Sequence, residues 1–542
     1  MSKKNKQSLL SGALAGSFGF FLAKALGLFY VVPLNQYAGA ENMAYYSITY
    51  TYYDIILKVT QAGIPFAIAS LMARYISKED YRSALQVKKV GTYFVLVVSF
   101  LIGIIFFFTS NSLAASSLGK LAKPEEVEAL ANLFKILLVA ILSVPLLAVT
   151  RGYYQGIKRL DVYAISQVLE QLVRVAIIIF GGYFAVRVLK LPPVYAVYIA
   201  VLAAGIGAIF TLFYFLFSSR QDKDYLIQKA SLQEGKSKYT KTILKEIFAL
   251  SLPYVAVTVI GTTSLLINSR YFIPYITSLG TPMDLAKSVL GIVQTNCAKI
   301  GSIPQVLALG FSAGLVPYLS SEYERQDYIA LRKNIKDILA TVLYILIPII
   351  LVIIFFSKPI FFIMFGGSNL QLGDHLLRLY ALHAFTDTVA PILSTILITL
   401  GFRKNALIFL SLSTVVKLIS FFTLIKMFGY DGMILSTVVS SLFYIILVFI
   451  LLKQNFDFDI KSIAGIALRC AIVSLVSILP FVLLAYIHPF RYDSRLLCMI
   501  AFGIYGIMMV LLYLFISQKN KLPQEVFNDQ EFTWKKFIKR LH

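Results

Sequence analysis

The residues with the most evident chemistry in this sequence are basic side chains inside long apolar runs. They are Lys24, Lys58, Lys135, Arg174, Arg270, Lys299, Lys417 and Arg469. If these runs cross a bilayer, each such charge costs about 2.5–3.5 kcal/mol even on a lenient insertion scale. Each therefore needs a partner, a route to water or an anionic ligand.

Several of these charges have ordinary explanations. Asp54 and Lys58 are four residues apart, as are Glu170 and Arg174, so each pair can form an ion pair on one helix face. Others lie near an end of their run, from where a long side chain reaches the interface. Lys417 shares a polar strip with Ser and Thr residues, which predicts a structural polar contact.

Lys24 and Lys299 are not explained in this way, because neither has an acidic residue within four positions and both lie well inside their runs. Tyr45 and Tyr52 are seven residues apart in a Tyr-rich run. Together with Asp54 they suit the lining of a cavity that admits sugar hydroxyls. Packing between helices, with the hydroxyl at the interface, is an equal alternative for any single Tyr.

Prolines follow two of the basic positions. Pro65 and Pro304 lie about two turns or less beyond Lys58 and Lys299. A proline frees a backbone carbonyl and lets a helix bend, as a gate requires, although static helices are also kinked.

The composition places these residues in a membrane protein. The chain has 542 residues, of which 58% are hydrophobic and 14% charged, whereas soluble domains are about 45–50% apolar and about 25% charged. The three cysteines lie in apolar stretches without the spacing of a zinc site or a disulfide framework. The sequence predicts an all-α polytopic membrane protein of about fourteen transmembrane helices. The apolar runs lie at 9–32, 43–73, 91–114, 127–150, 162–186, 194–217, 247–272, 286–318, 338–356, 376–400, 406–427, 432–452, 462–485 and 496–516.

The net charge of +23 is concentrated in alternate connecting segments. The segments on the same side as the N-terminus hold most of the Lys and Arg. Under the positive-inside rule, this predicts that both termini lie in the cytoplasm. The charge thus belongs to the membrane topology, and no nucleic-acid partner is expected.

An internal repeat organises the chain. The segment YISKEDYRSALQVKK at 75–89 resembles YLSSEYERQDYIALRKNIK at 318–336, and QGIKRLDVYAIS at 155–166 resembles LGFRKNALIFLS at 400–411, at nearly the same offset. Two six-helix halves of the same orientation are typical of transporters, with the binding site between them. The predicted parts are an N-lobe at 1–220, a cytoplasmic linker at 221–246, a C-lobe at 247–455, two appended helices at 456–517, and a cytoplasmic tail at 518–542 that is either amphipathic or disordered.

The repeat pairs four of the basic residues. Lys24 and Arg270 occupy nearly matching places in the first helix of each half, and Lys58 and Lys299 in the second. Arg270 alone would also fit an interfacial position. Four cations on helices that should line a central cavity favour an anion site over unrelated snorkelling and pairing.

The chain also resembles a known family. The segments AKALGLF at 23–29, GAEN at 39–42, GIPFAIASLMARYIS at 63–77, RGYYQG at 151–156, LALGFSAGLVPYLS at 307–320 and FGYDGMILST at 428–437 are similar to those of the MurJ and stage V sporulation protein B group. This group consists of lipid-linked oligosaccharide flippases in the multidrug/oligosaccharidyl-lipid/polysaccharide exporter superfamily.

The resemblance implies a transporter rather than an enzyme, with fourteen helices, two lobes and a basic cavity for lipid II, an undecaprenyl-diphosphate-linked peptidoglycan precursor. Lys24, Lys299 and, approximately, Lys58 match basic cavity positions of the group. The sequence departs from the group at Tyr30, where the group has a second arginine, and at Ser302, where it has an acid. The group's last two helices form a groove for the polyprenyl tail, a role that falls here on 462–516.

Two alternatives remain open. A cation or drug antiporter of the same superfamily requires buried carboxylates, and His383 and Asp387, four residues apart, are the best candidates for ion coupling. A structural pair on one helix is the ordinary explanation for these two residues. A non-transporting scaffold for wall synthesis would not require matched cations.

The remaining expectations concern partners and energy. We expect no cofactor and no metal; transport would be coupled to the membrane potential or a monovalent ion. The expected partners are the lipid-linked sugar and the bilayer, with cell-wall synthesis enzymes as further candidates. The protein is expected to be a monomer.

Overall fold

Long apolar helices make up most of the described chain, and the predicted all-α membrane class is confirmed. The structure is a computed structural model that describes residues 27, 30–61, 64–157, 159–218, 220–233, 237–305, 319, 322–323 and 325–526. Within these residues, ten helical stretches are long and apolar enough to cross a bilayer. The protein is therefore a multi-pass membrane protein, while the total of about fourteen spans stays a prediction.

The helices up to Gly291 belong to one compact unit. They are α1 (Val31–Gln61), α2 (Ile64–Ser77), α3 (Tyr81–Leu118), α4 (Pro124–Ile136), α5 (Leu138–Gly156), α6 (Leu160–Ala176), α7 (Val194–Ser218), α8 (Arg220–Leu232), α9 (Thr240–Ser278) and α10 (Met283–Gly291), with π-helical segments at Ile177–Gly181 and Phe184–Val188. In this unit α1 packs against α7, α9 and α10, while α5 packs against α2, α3 and α7.

The second compact unit begins at Ile292. It contains a π-helical segment (Ile292–Cys297), helical residues 298–305, α11 (Tyr328–Phe355), α12 (Ser357–Phe365), α13 (Leu370–Thr399), α14 (Arg403–Phe428), α15 (Asp431–Phe456), α16 (Ile460–Ile487), α17 (Arg495–Lys519) and α18 (Leu522–Val526). Here α14 packs on α15, α13 on α15, and α16 on α11. The division between the units follows contacts, whereas the predicted lobes follow the repeat, so the lobe boundaries stay a prediction.

The appended helices α16 and α17 are anchored by aromatic packing. Phe356, Ile478, Phe481 and Met509 form a buried cluster that joins them to the end of α11. The other faces of α16 and α17 expose Leu, Ile and Met side chains, as expected for lipid contact.

Local structure differs from the predicted runs at one place. The expected break at 33–42 is helical, because α1 runs through it with a kink at Gly39, whose φ of 75° suits glycine. Within the predicted run at 43–73, the structure describes α1 as far as Gln61 and α2 from Ile64. The predicted hinge residue Pro65 lies in α2.

The two repeat segments share one helix-ending structure. Glu79 and Gln326 have φ values of 59° and 60°, and the residues after them, Asp80 and Asp327, donate their N–H groups to carbonyls five positions back. Each Asp then caps the next helix by accepting from a backbone N–H three residues on. The repeated letters thus correspond to a repeated turn between helices.

Close helix packing depends on small residues. A Cβ built on Gly152 of α5 would lie 2.7 Å from the carbonyl oxygen of Pro65, so α5 can approach α2 only without a side chain here. Such approach is the usual basis of helix association in lipid, where apolar side chains gain little by leaving the acyl chains.

Candidate functional site

The four predicted cavity cations are described to different extents. Lys24 lies outside the described residues, and Lys58 has a described backbone in α1 but no described side chain. Arg270 is partly buried on α9 of the first unit. Lys299 lies on the helical residues 298–305 of the second unit and is partly buried. The predicted hinge residue Pro304 lies on the same segment and is buried.

Arg270 and Tyr52 meet at the end of α3. The Arg270 guanidinium donates to the carbonyl oxygen of Ser116, and the Tyr52 hydroxyl lies 3.5 Å from the hydroxyl of Ser117. Both serines are in the last turn of α3, whose carbonyls have no intrahelical donors and carry the negative end of the helix dipole. Two predicted site residues thus lie together, and the Arg270 charge is met by a helix end rather than by a described carboxylate.

Tyr45 faces a cation that sequence reasoning did not select. The Lys287 ammonium lies 6.0 Å from the centre of the Tyr45 ring. It is also 2.6 Å from Glu126, 3.1 Å from Asp284 and 3.9 Å from Glu41. Lys287 lies at the edge of the predicted run 286–318, the usual place of an interfacial lysine. Its abundance of acidic partners indicates a structural ion-pair cluster rather than an anion site.

The predicted pair of Glu170 and Arg174 forms on α6, with 2.8 Å between the charged atoms. A third member, Arg151 of α5, approaches the other Glu170 oxygen at 2.9 Å and also donates to the hydroxyl and carbonyl of Ser166. All three charged side chains are nearly buried. One carboxylate therefore compensates two guanidinium groups inside the first unit. The predicted pair of Asp54 and Lys58 includes a side chain, that of Lys58, which lies outside the described part of the chain.

Lys417 is a fully buried ammonium that is held by neutral oxygens. Its Nζ donates to the Met433 carbonyl at 3.1 Å, to the Ser436 hydroxyl at 2.8 Å and to the Thr437 hydroxyl at 2.7 Å. Both hydroxyls donate their own hydrogens to the Met433 carbonyl, so their lone pairs face the ammonium. The predicted structural polar contact is present and joins α14 to α15.

A cavity of about 150 Å³ lies beside Asp387 in the second unit. Gln305, Asp387, Thr388 and Pro391 line it, and the Gln305 amide donates to the Asp387 carboxylate. His383 is buried one turn away, and its Nδ1 has no hydrogen-bond partner among the described residues. Of the two predicted ion-coupling residues, Asp387 thus lines the cavity, whereas His383 lies one turn away on α13.

Within the described chain, no group of three or more His, Cys, Asp or Glu side chains is arranged to hold a metal ion. The cysteines, Cys297, Cys470 and Cys498, are buried and unpaired in the described region.

Two family descriptions match the sequence. One, described as polysaccharide biosynthesis protein, matches residues 9–323, and another, described as MatE, matches residues 285–423. Together they cover most of the chain.

Two similar proteins come from Bacillus subtilis (strain 168). "Lipid II flippase MurJ" is 25% identical over 473 residues, covering 86% of this chain and 87% of the relative. "Stage V sporulation protein B" is 21% identical over 404 residues, covering 74% and 76%. The predicted homology to this group is confirmed.

Solved structures share the fold. A lipid II flippase MurJ in an inward closed conformation superposes with a TM-score of 0.68 at 17% identity, covering 94% of this chain and 99% of that one. An inward-facing MATE family transporter of the MOP superfamily gives 0.65 at 17% identity, covering 82% and 94%. At this identity the likeness establishes the architecture alone.

Proposed function

The chain belongs to the polysaccharide biosynthesis protein family, and from that membership we propose that it is a flippase for an anionic lipid-linked cell-wall precursor. The observation that carries the proposal is the likeness, over most of both chains, to a relative named as a lipid II flippase. The chemistry of the interior is compatible with it, because Arg270 and Lys299 place partly buried positive charge on the first two helices of the second repeat half. Lipid II is the substrate that we favour.

The proposed mechanism is alternating access. The diphosphate of an undecaprenyl-linked sugar is attracted from the inner leaflet by four basic residues, Lys24, Lys58, Arg270 and Lys299. The three lysines act as point charges on flexible side chains. Tyr45, Tyr52 and Asp54 border the path of the sugar, and Pro65 and Pro304 let their helices bend. The proposed site thus consists of the binding residues Lys24, Lys58, Lys299, Arg270, Tyr45, Tyr52 and Asp54 and the hinge residues Pro65 and Pro304.

The polyprenyl chain stays in lipid along 456–517. The protein lies in the bacterial cytoplasmic membrane with both termini inside, so the negative interior potential acts on its cationic cavity. About 2.3 kcal/mol per charge per 100 mV is available from that potential to reset the empty carrier.

The direct test is transbilayer movement in vesicles that contain the purified protein. We expect a fluorescent undecaprenyl-diphosphate-linked precursor to become accessible on the opposite leaflet faster than in protein-free vesicles. An undecaprenyl monophosphate sugar should move more slowly, because it offers less negative charge to the basic residues. Equal rates with and without protein for both lipids would contradict the proposal.

A second function is favoured by one observation. The MatE match covers 285–423, which includes the cavity beside Asp387. A cation or drug antiporter would use such a carboxylate. Ethidium efflux from the same vesicles under an imposed ion gradient separates the two functions, since a flippase for an anionic lipid should not export this cation.

We also propose that the Asp387 cavity holds the coupling cation of the flippase. Pro391 lies four residues after Asp387 and has no N–H, so it cannot bond the Asp387 carbonyl. The Thr388 hydroxyl donates to the Ala384 carbonyl and keeps its lone pairs available. Asp387 and Thr388 thus bring a carboxylate, a backbone carbonyl and a hydroxyl to the wall of the cavity. Backbone carbonyls freed from helix hydrogen bonding coordinate Na⁺ or protons in transporters.

Replacing Asp387 with asparagine is expected to reduce the stimulation of flipping by a sodium or proton gradient about tenfold, the usual scale of coupling between sites. The measurement is the initial flipping rate in vesicles under each gradient. Asp374→Asn is the matched control, because Asp374 lies on the same helix but pairs with Arg378 away from the cavity. Unchanged gradient dependence in Asp387→Asn would remove the cavity from the mechanism.

A further inference from the structure

A buried ammonium fixes the first turns of α10. The Lys287 side chain is 4% exposed and approaches carboxylates from three segments of the first unit: Glu126 of α4, Asp284 of its own helix and Glu41 of α1. Glu41 and Asp284 are largely exposed to solvent, whereas Glu126 is 19% exposed. The pair of Lys287 and Glu126 is therefore the interaction that solvent screens least.

The Glu126 carboxylate is held in place by its own helix. One of its oxygens accepts from the backbone N–H of Lys123, at the beginning of α4, and the other accepts from Lys287 at 2.6 Å. A carboxylate in the first turn also faces the positive end of the helix dipole. Lys287 thus meets an acceptor whose position α4 has already fixed.

One turn beyond Lys287, the backbone of α10 is in close contact with the backbone of α1. A Cβ on Gly291 would lie 2.5 Å from the Ala40 carbonyl oxygen and 2.9 Å from the Ala44 nitrogen, so α10 lies directly on the backbone of α1. Immediately after Gly291 the chain forms the π-helical segment Ile292–Cys297. Segments of this type interrupt regular helix hydrogen bonding and often mark places where a helix changes shape at functional sites.

The contact joins the two halves of the sequence repeat. The repeat assigns α10 to the second half and α1 and α4 to the first, and the loop charges place this end of the helices on the extracytoplasmic side. If the halves move apart to open that side, α10 must leave α1 and α4. The ion pair of Lys287 with Glu126 must then break.

We propose that Lys287 is a positioning residue that keeps the extracytoplasmic side closed, acting as a latch between α10 and α4. This inference rests on the proposed alternating-access function. Opening exposes Lys287, Glu126, Asp284 and Glu41 to water, where their charges are solvated separately. The π-helical segment after Gly291 allows α10 to tilt without unfolding the helix that follows.

The test reports the opening of this contact directly. Ser288→Cys places a thiol, nearly isosteric with the hydroxyl, at a buried position on α10. The rate at which a membrane-impermeant maleimide labels this thiol on intact cells is measured. The background is the labelling of the protein without Ser288→Cys, whose three cysteines are buried. We expect Lys287→Met to raise the labelling rate of Cys at position 288 about tenfold. Glu126→Gln, which keeps an acceptor for the Lys123 N–H, should raise it similarly.

Two controls separate a latch from a general loss of structure. Lys123→Met removes an exposed lysine three residues from Glu126 and should leave the labelling rate unchanged. Ser143→Cys reports on a buried position of α5 and should stay unlabelled in Lys287→Met. No increase at position 288 in either latch variant, an equal increase in Lys123→Met, or labelling at position 143 would each overturn the proposal. The readout uses no lipid-linked substrate, so its failure is distinguishable from a failure of the proposed flippase function.

Discussion

Replacing Lys299 with alanine is expected to abolish transbilayer movement of the lipid-linked precursor while leaving the protein folded. The loss of one cation that contacts a desolvated diphosphate should weaken binding by about 2–5 kcal/mol, at least about thirtyfold. Folding should be spared, because alanine is inserted into a bilayer more easily than lysine. Lys24→Ala should have the same effect, because the proposed diphosphate site includes both lysines.

The measurements are complementation of a strain depleted of its own flippase, and the vesicle assay with purified variants of equal monodispersity. Lys135→Ala is the matched control, because it removes another lysine within an apolar run, from a position near the end of that run. Lys299→Arg should retain part of the activity, because the charge is kept. Full complementation by both Lys24→Ala and Lys299→Ala would reject the site.

The helices were predictable because their cause is local. A run of about twenty apolar residues must satisfy its own backbone in lipid, and hydropathy detects it. The kink at Gly39 and the π-helical segment at Ile292–Cys297 were not predicted, since neither changes the mean hydropathy of a run. Helix α8, at Arg220–Leu232, lies largely in the predicted linker and is too polar for that signal.

The contacts of the buried charges were likewise predictable only where both partners lie on one helix. The pair of Glu170 and Arg174 was predicted, because four residues on one helix fix their separation. Arg151 joins them from α5, and Ser116 meets Arg270 from α3. Partners on other helices depend on which face of each helix turns inward, and in lipid both faces are apolar. Lys287 was missed for this reason, since three of its four neighbours here, Glu126, Glu41 and Tyr45, come from other helices.

Replacing Glu170 with glutamine is expected to destabilise the first unit by about 3–5 kcal/mol, because Arg151 and Arg174 would then share a nearly buried site with no carboxylate. The neutral amide keeps the shape of the side chain, so the effect reports charge rather than packing. Ser166 accepts two hydrogens of Arg151 but supplies no negative charge. The free energy of unfolding in mixed micelles, titrated with sodium dodecyl sulfate, measures the change.

An exposed ion pair at the beginning of the same helix is the control that separates the effect of burial from the loss of an ion pair in general. Asp161 pairs with Arg159 at 3.0 Å, but both side chains are well exposed, and exposed ion pairs contribute about 0–1 kcal/mol. Asp161→Asn should therefore change the unfolding free energy by no more than that. If Glu170→Gln proved as mild as Asp161→Asn, water would have to reach the two guanidinium groups. The interior of the first unit would then be a hydrated cationic chamber, and Arg151 and Arg174 would join Arg270 as candidates for contact with an anionic head group.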